Sequence, residues 1–260
     1  VKRALLLVRP LPHYRRDAFE AGFKRLGYTI VSQLNEPRAG DVMCSWNLTA
    51  MERVASRFKA AGGSVVVAEN AYLTPAGRTQ MYAISRDGHC GSGRFPAPAN
   101  DASRWGELGV TCKPWREHGG HILVAAQRGI GAKNMASPPN WHKQIAEKLQ
   151  RATKRPVRVR EHPGRHSGSR PLAEDLRGAW AVVVWSSTVG VWALTEGIPV
   201  FYAAPHWICS SAAVPLAKAD IESPLCSYIE RDRALARLAW GQWTHEEIAT
   251  GEPLRRVLEC

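Results

Sequence analysis

The sequence of 260 residues contains no run approaching the roughly 18 to 20 consecutive apolar residues that cross a bilayer as a helix. Its six cysteines, Cys44, Cys90, Cys112, Cys209, Cys226 and Cys260, form neither a CxxC pair nor a zinc-ligand spacing. That pattern argues against a disulfide framework or a cysteine metal site and predicts reduced thiols in a cytoplasmic protein. No Walker glycine-lysine motif and no GxGxxG follows any strand-like run, so neither of the common glycine-rich phosphate loops is available. No Asp-x-Asp pair is present to hold a divalent ion, and no metal is expected.

What is there is apolar and basic. Apolar residues make up 45% and charged residues 22%, in periodic segments, a composition that folds rather than staying disordered. The formal charge is +12, which makes a polyanion a natural partner. The charge is uneven: residues 143–170 carry nine Lys/Arg against Glu147 and Glu161, whereas residues 221–260 carry seven acids against five arginines. Ten tryptophans are a second anomaly. Trp180, Trp185 and Trp192 lie in apolar periodic segments and read as core. Trp46, Trp115, Trp141 and Trp207 adjoin Asn, Pro, His or Ser, where an aromatic ring can stack on a base or a sugar.

Residues 4–8 form a short, wholly apolar run that reads as a buried strand. A helix is predicted over 16–25, with Phe19, Phe23 and Leu26 on one face and Gly27 at its end. Strands follow at 28–32, 41–46 and 64–69, with a helix over 49–61. Strand and helix alternate at the spacing of βαβ crossovers, so the sheet is expected to be mostly parallel with its ligand edge at the carboxyl ends of the strands. Residues 74–118 show little regular pattern and read as a working loop or an irregular insertion. A second periodic unit follows, with strands at 120–126, 156–160, 181–185 and 199–202 and a helix over 141–153. The predicted fold class is therefore α/β, two Rossmann-like lobes facing a central cleft: an N-terminal lobe of residues 1–118 and a C-terminal lobe of residues 119–260.

Three strand-end loops of the second lobe carry phosphate chemistry. Pro163 holds His162 extended at a strand end, where its ring can donate to a phosphoryl oxygen or protonate a leaving phosphate; Arg165 and His166 stand close by. Ser186, Ser187 and Thr188 lie between a buried strand and a helix, where hydroxyls and backbone N–H groups face one space. An ordinary helix cap explains one of those hydroxyls and does not require three. Gln127-Arg128-Gly129-Ile130-Gly131 adds a cation that can neutralise a diphosphate and glycines that permit close approach, or that simply make a tight turn. In the first lobe Glu69 ends an apolar strand, a costly place for a carboxylate that faces neither a cleft nor a partner. It is the candidate base for an acceptor hydroxyl, with Asp87 and Asp41 as alternatives; the plain reading pairs it with Arg78 or Arg9.

His162-Pro163, the Ser186-Ser187-Thr188 cluster and the continuation Val189-Gly-Val-Trp-Ala-Leu-Thr-Glu-Gly-Ile-Pro-Val200 together resemble the two-domain GT-B glycosyltransferases that build bacterial capsule and lipopolysaccharide, including Kdo- and sialic-acid-transferring enzymes. The segment Val67-Ala-Glu-Asn-Ala-Tyr-Leu73 is similar to that family's strand ending in Glu-Asp-Gly, with Asn70 and Ala71 where Asp and Gly are usual. The resemblance implies a nucleotide-sugar co-substrate, UDP- or CMP-linked, with its phosphate on His162, Ser186, Ser187 and Thr188, and a carboxylate base near Glu69. Trp192 occupies a position often acidic in the family, and Glu196 could take over the ribose contact. Size, basicity and lobe plan also resemble, more loosely, compact bacteriophage enzymes that modify hydroxymethylpyrimidines in DNA. The expectation is an inverting glycosyltransferase whose acceptor is double-stranded DNA. A capsule-type or polyol-phosphate transferase is the enzymatic alternative, and a non-catalytic DNA-binding protein is the other.

Overall fold

In the computed structural model, residues 1–96, 101–130, 135–164, 170–218 and 220–260 are described. The positions Gly131, Arg165 and His166 singled out above lie outside them. The chain divides into two compact units, one of Val1–Leu108 with Ala236–Cys260 and one of Gly109–Leu235. The division therefore falls about ten residues earlier than residue 118, and the C-terminal segment belongs with the first unit.

The first unit is built on β1 (Lys2–Leu7), β2 (Tyr28–Val31), β3 (Val42–Trp46), β4 (Ser64–Asn70), β5 (Met81–Arg86) and, from the C-terminal segment, β11 (Gln242–Thr244). Their order is β11-β5-β4-β3-β1-β2. The pairs among β1 to β4 are parallel, whereas β5 and β11 run antiparallel. Alternation along the strands feeds two cores. Ala4, Leu6 and Val8 join Phe19 and Phe23 of α1 (Arg16–Arg25) on one face, and Leu5 meets Phe58 of α2 (Glu52–Ala60) on the other. Each fully buried ring of this kind contributes about 2 kcal/mol of transfer free energy. The first core also takes in Ile248 of α8 (His245–Ala249) and Leu254 and Val257 of α9 (Glu252–Glu259). α1 approaches α8 so closely that a Cβ on Gly22 would lie 2.3 Å from the Ile248 carbonyl oxygen.

The stretch from 74 to 118, expected to be irregular, contains an interior strand. β5 is six residues long and five of them are buried; a run this short, with no amphipathic alternation, does not separate a strand from other buried segments. α3 (Ser103–Leu108) follows, held by the buried Arg104, whose guanidinium donates to Glu247 at 2.8 Å and to the Ala239 and Gln242 carbonyls and lies 3.7 Å from the Trp243 ring centroid.

The second unit has a wholly parallel sheet of β6 (His121–Ala125), β7 (Val157–Arg160), β8 (Ala179–Val184), β9 (Val200–Tyr202) and β10 (Val214–Pro215), in the order β10-β9-β8-β6-β7. The chain goes from β6 outward to β7 and returns across β6 to β8, so the order reverses between β6 and β8. At such a switch point the loops leaving neighbouring strands diverge and open a crevice at the carboxyl edge. Trp141 and Leu149 of α4 (Trp141–Ala152) cover one face with Ile122, Val124 and Val183. α6 (Val189–Thr195) leaves the end of β8 and returns to the amino edge. There the 113–116 segment is strapped to it: the Lys113 N–H donates to Thr195 at 2.8 Å and the Arg116 N–H to Gly197 at 2.7 Å. Only glycine fits at 197, where φ is +70° and a Cβ would stand 1.9 Å from the Pro114 carbonyl oxygen.

Candidate functional site

The three polar loops singled out in the second unit leave neighbouring strands β7, β6 and β8, whose spacing is about 4.8 Å. The crevice lies between the second and third. Gln127, just past β6, spans it: the Ser186 N–H donates to its Oε1 at 2.6 Å and its Nε2 donates to the Ser186 hydroxyl at 3.3 Å. The Ser187 hydroxyl accepts from the Val189 N–H at 3.2 Å, the work of an ordinary helix-start turn. Two of the three hydroxyls therefore have structural partners. The Ser187 N–H, the Thr188 N–H and the exposed Thr188 hydroxyl have none among the described residues, and they are the donors the loop can offer an anion.

His162 is exposed, and its Nδ1 accepts from the Gly164 N–H at 2.9 Å. The neutral ring then carries its proton on Nε2 and donates from there. Loss of water around the ring, followed by the positive charges of Arg128 and Arg160, holds its pKa below the usual imidazole value. Both influences favour the neutral Nε2–H form. In that form the ring can donate a hydrogen bond to a phosphoryl oxygen. Arg160 is tied to Asp175. Arg128 is exposed and has no ion pair among the described residues.

Glu196 is elsewhere. It follows α6 at the amino edge, about 12 Å from Thr188 at 1.5 Å per helical residue, and pairs with Lys113 at 2.5 Å. It does not join the loops at the carboxyl edge. A cavity of about 600 Å³ in this unit, between α4 and the ends of β9 and β10, is lined mainly by apolar groups such as Ile145, Leu149, Tyr202 and Leu216. None of the strand-end donors lines it.

In the first unit Glu69 stands at the carboxyl end of β4, half-buried. Its Oε1 accepts from the Tyr72 hydroxyl at 2.5 Å and from the Cys90 N–H at 2.9 Å. It has no ion pair with Arg78 or Arg9 among the described residues. Burial, and then the Glu69 charge, push the Tyr72 phenol well above its ordinary pKa, so Tyr72 remains a donor. Asp87 is not near Glu69's end of the strand. Because β5 runs antiparallel to β4, Asp87 lies at the amino edge, its N–H donating to Val65 at 2.8 Å, roughly 13 Å along the strand from Glu69. Lys59, Arg86 and Arg94 surround its carboxylate. Asp41 is also at the amino edge, buried, and its hydrogen bonds from Arg3 hold its carboxyl below the usual range. Of the three carboxylates, Glu69 alone occupies the carboxyl edge.

The loop tryptophans have structural duties. Trp141 is buried against Trp185, with ring centroids 5.6 Å apart, and Trp207 is buried and stacked on Tyr202. Trp115 lies 4.6 Å from the buried Arg231 guanidinium. Trp46 packs edge to face with His13, Tyr14 and Tyr82 beside the end of β3.

No family model matches the chain, and no curated protein matches it either. Similar solved structures include the β-Kdo 2,7 transferase of Thermosulfurimonas dismutans KpsC, with a TM-score of 0.61 at 10% identity over 96% of this chain and 98% of that one. The β-Kdo 2,4 transferase of the same organism's KpsC gives 0.58 at 11% identity over 90% and 89%.

The fold is GT-B-like.

At such identities the likeness carries the fold and leaves the activity open. Gln127, named above only as part of its loop, and Tyr72, named only within the 67–73 segment, are the residues beside these candidates whose partners the sequence did not show. The signal for Gln127 was its place just past an apolar strand at the switch point. For Tyr72 there was none, because its partner is set by a turn.

Proposed function

We propose that the chain is a glycosyltransferase that moves a sugar from a nucleotide-linked donor to a hydroxyl acceptor. The observation that carries this reading is the set of unpartnered donors at the ends of the neighbouring strands β7, β6 and β8: the Nε2–H of His162, Arg128, the Ser187 and Thr188 N–H groups and the Thr188 hydroxyl. They suit a phosphate oxygen rather than a neutral ligand, since their sum is cationic and every one of them can donate. In a single displacement the acceptor oxygen bonds to the anomeric carbon as the bond to phosphate breaks, with inversion. The acceptor's proton goes to a carboxylate, assigned to Glu69. The electron pair leaves with the phosphate, where hydrogen bonds strengthen as charge develops and so lower the barrier.

The acceptor we favour is DNA bearing hydroxymethylated pyrimidines. Lys143, Lys148, Lys154 and Arg158 are exposed on α4, β7 and the turn between them, with no carboxylate partner among the described residues. A phosphate backbone matches these exposed cations better than a neutral glycan does. The test incubates the protein with a panel of UDP- and CMP-linked sugars and duplex DNA containing thymine, cytosine or their 5-hydroxymethyl forms, then weighs the digested nucleosides. Mass added to a hydroxymethyl base, reduced by charge reversal of Lys148, Lys154 and Arg158, supports the reading. Transfer to a free glycan alone moves the acceptor to the capsule type. DNA binding with no donor consumed removes the enzyme.

A further inference from the structure

We infer that Tyr72, fixed in place by Gln242, positions the Glu69 carboxylate so that one oxygen, Oε2, is presented for proton transfer. The inference rests on the transferase reading and names a positioning residue for it.

Two donors converge on a single atom. The Tyr72 hydroxyl and the Cys90 N–H both meet Glu69 Oε1, at 2.5 and 2.9 Å, and the Cys90 N–H also lies 3.1 Å from the Tyr72 oxygen. Oε2 accepts nothing from the described residues. Anchoring one oxygen fixes the side-chain torsions and leaves the other oxygen with a defined direction, which a free glutamate with three rotatable bonds lacks.

The anchor is itself held. Tyr72 follows β4 at a turn, and Gln242 of β11, fully buried, grips that turn through both ends of its amide. Its Oε1 accepts from the Tyr72 and Leu73 N–H groups at 3.2 Å each, and its Nε2 donates to the Leu73 carbonyl at 2.6 Å. The Tyr72 ring is buried and meets Phe95 edge to face, with centroids 6.2 Å apart. Ring, turn and hydroxyl therefore share one geometry, and its outlet is the carboxylate.

Tyr72→Phe keeps the ring and removes only the donor. With the wild-type protein, the donor sugar and acceptor found by the panel above, kcat is expected to fall about tenfold, with donor KM and the calorimetric Kd changed less than twofold. Glu69→Gln is expected to lower kcat about a hundredfold or more. The Tyr72→Phe and Glu69→Gln double variant should match Glu69→Gln alone, because a residue acting through Glu69 has nothing left to orient. Gln242→Leu is expected to behave as Tyr72→Phe, with a lower Tm in addition. An unchanged kcat in Tyr72→Phe, a further fall in the double variant, or a fall in kcat matched by loss of donor affinity overturns the positioning role while the transferase reading stands. A wild-type protein that consumes no donor across the panel overturns both.

Discussion

The two units place charged and polar groups at the edges of their sheets and engage them differently. In the second unit, Arg128, the His162 Nε2–H, the Ser187 and Thr188 N–H groups and the Thr188 hydroxyl remain without partners among the described residues. In the first, the conspicuous charges are largely engaged: Asp41 by Arg3, Asp87 by three cations, and Glu69 at one of its two oxygens. A charged residue at a strand end is therefore informative only together with its partners. An unpartnered group held by the fold can bind something, whereas a paired one is stabilising the chain.

The sharpest way to break that contrast is to remove unpartnered donors. Arg128→Ala combined with Thr188→Val is expected to raise the donor Kd about a hundredfold, since each lost charge-assisted or hydroxyl bond costs about 1 to 2 kcal/mol, with Tm unchanged. Calorimetry alongside thermal unfolding checks both halves, and a large loss of Tm without loss of binding would reverse the assignment. Gln127→Leu should weaken donor binding about tenfold, because the Ser186 N–H loses its 2.6 Å partner and the loop shifts.

Asp87→Asn probes the other unit. Asparagine tolerates the left-handed backbone there, φ +66°, so the change removes charge alone. It is expected to cost up to about 1 kcal/mol, a Tm loss of a few degrees, with no effect on donor Kd. A change in donor Kd with Tm preserved would return Asp87 to the candidate site. The smallest effect is spectroscopic. The His162 Cε1 proton should titrate below the ordinary imidazole range, and Arg128→Ala should move that midpoint upward, because removing a nearby positive charge favours the imidazolium. A midpoint that falls or stays fixed would place Arg128 away from the ring.

Much of this was readable from residue order. The helix expected over 16–25 is α1 itself, and β6 to β9 fall within about two residues of their expected places, β10 having none, because wholly apolar runs between helices of clear period admit few alternatives. His162, Arg128 and Thr188 were visible for the same reason, since a polar residue directly after a buried strand has to lie at an edge. β5 and β11 were not visible. They pair antiparallel, late in the chain with early, and no local period announces a partner about 160 residues away. Tyr72 was hidden by the same limit, since it acquires its role from a hydrogen bond that only the folded chain creates, whereas Gln127 was legible by position but not by partner. Glu196 was misplaced because its helix carries it to the opposite edge.

The assignment of Ala236–Cys260 to the first unit has a consequence for synthesis. As the chain leaves the ribosome, Gly109–Leu235 emerges as one continuous segment and can collapse around its parallel sheet. The N-terminal residues, made first, still lack Trp243, Ile248, Leu254 and Val257, which complete their core. Nascent β5 must wait with one edge open for β11, and an unpaired edge is where chains cross-associate. The unit whose larger part is translated before the other is the one that closes last, so overexpression at high ribosome density should yield misassembled protein through residues 1–108, and supplying 236–260 in trans should reduce it.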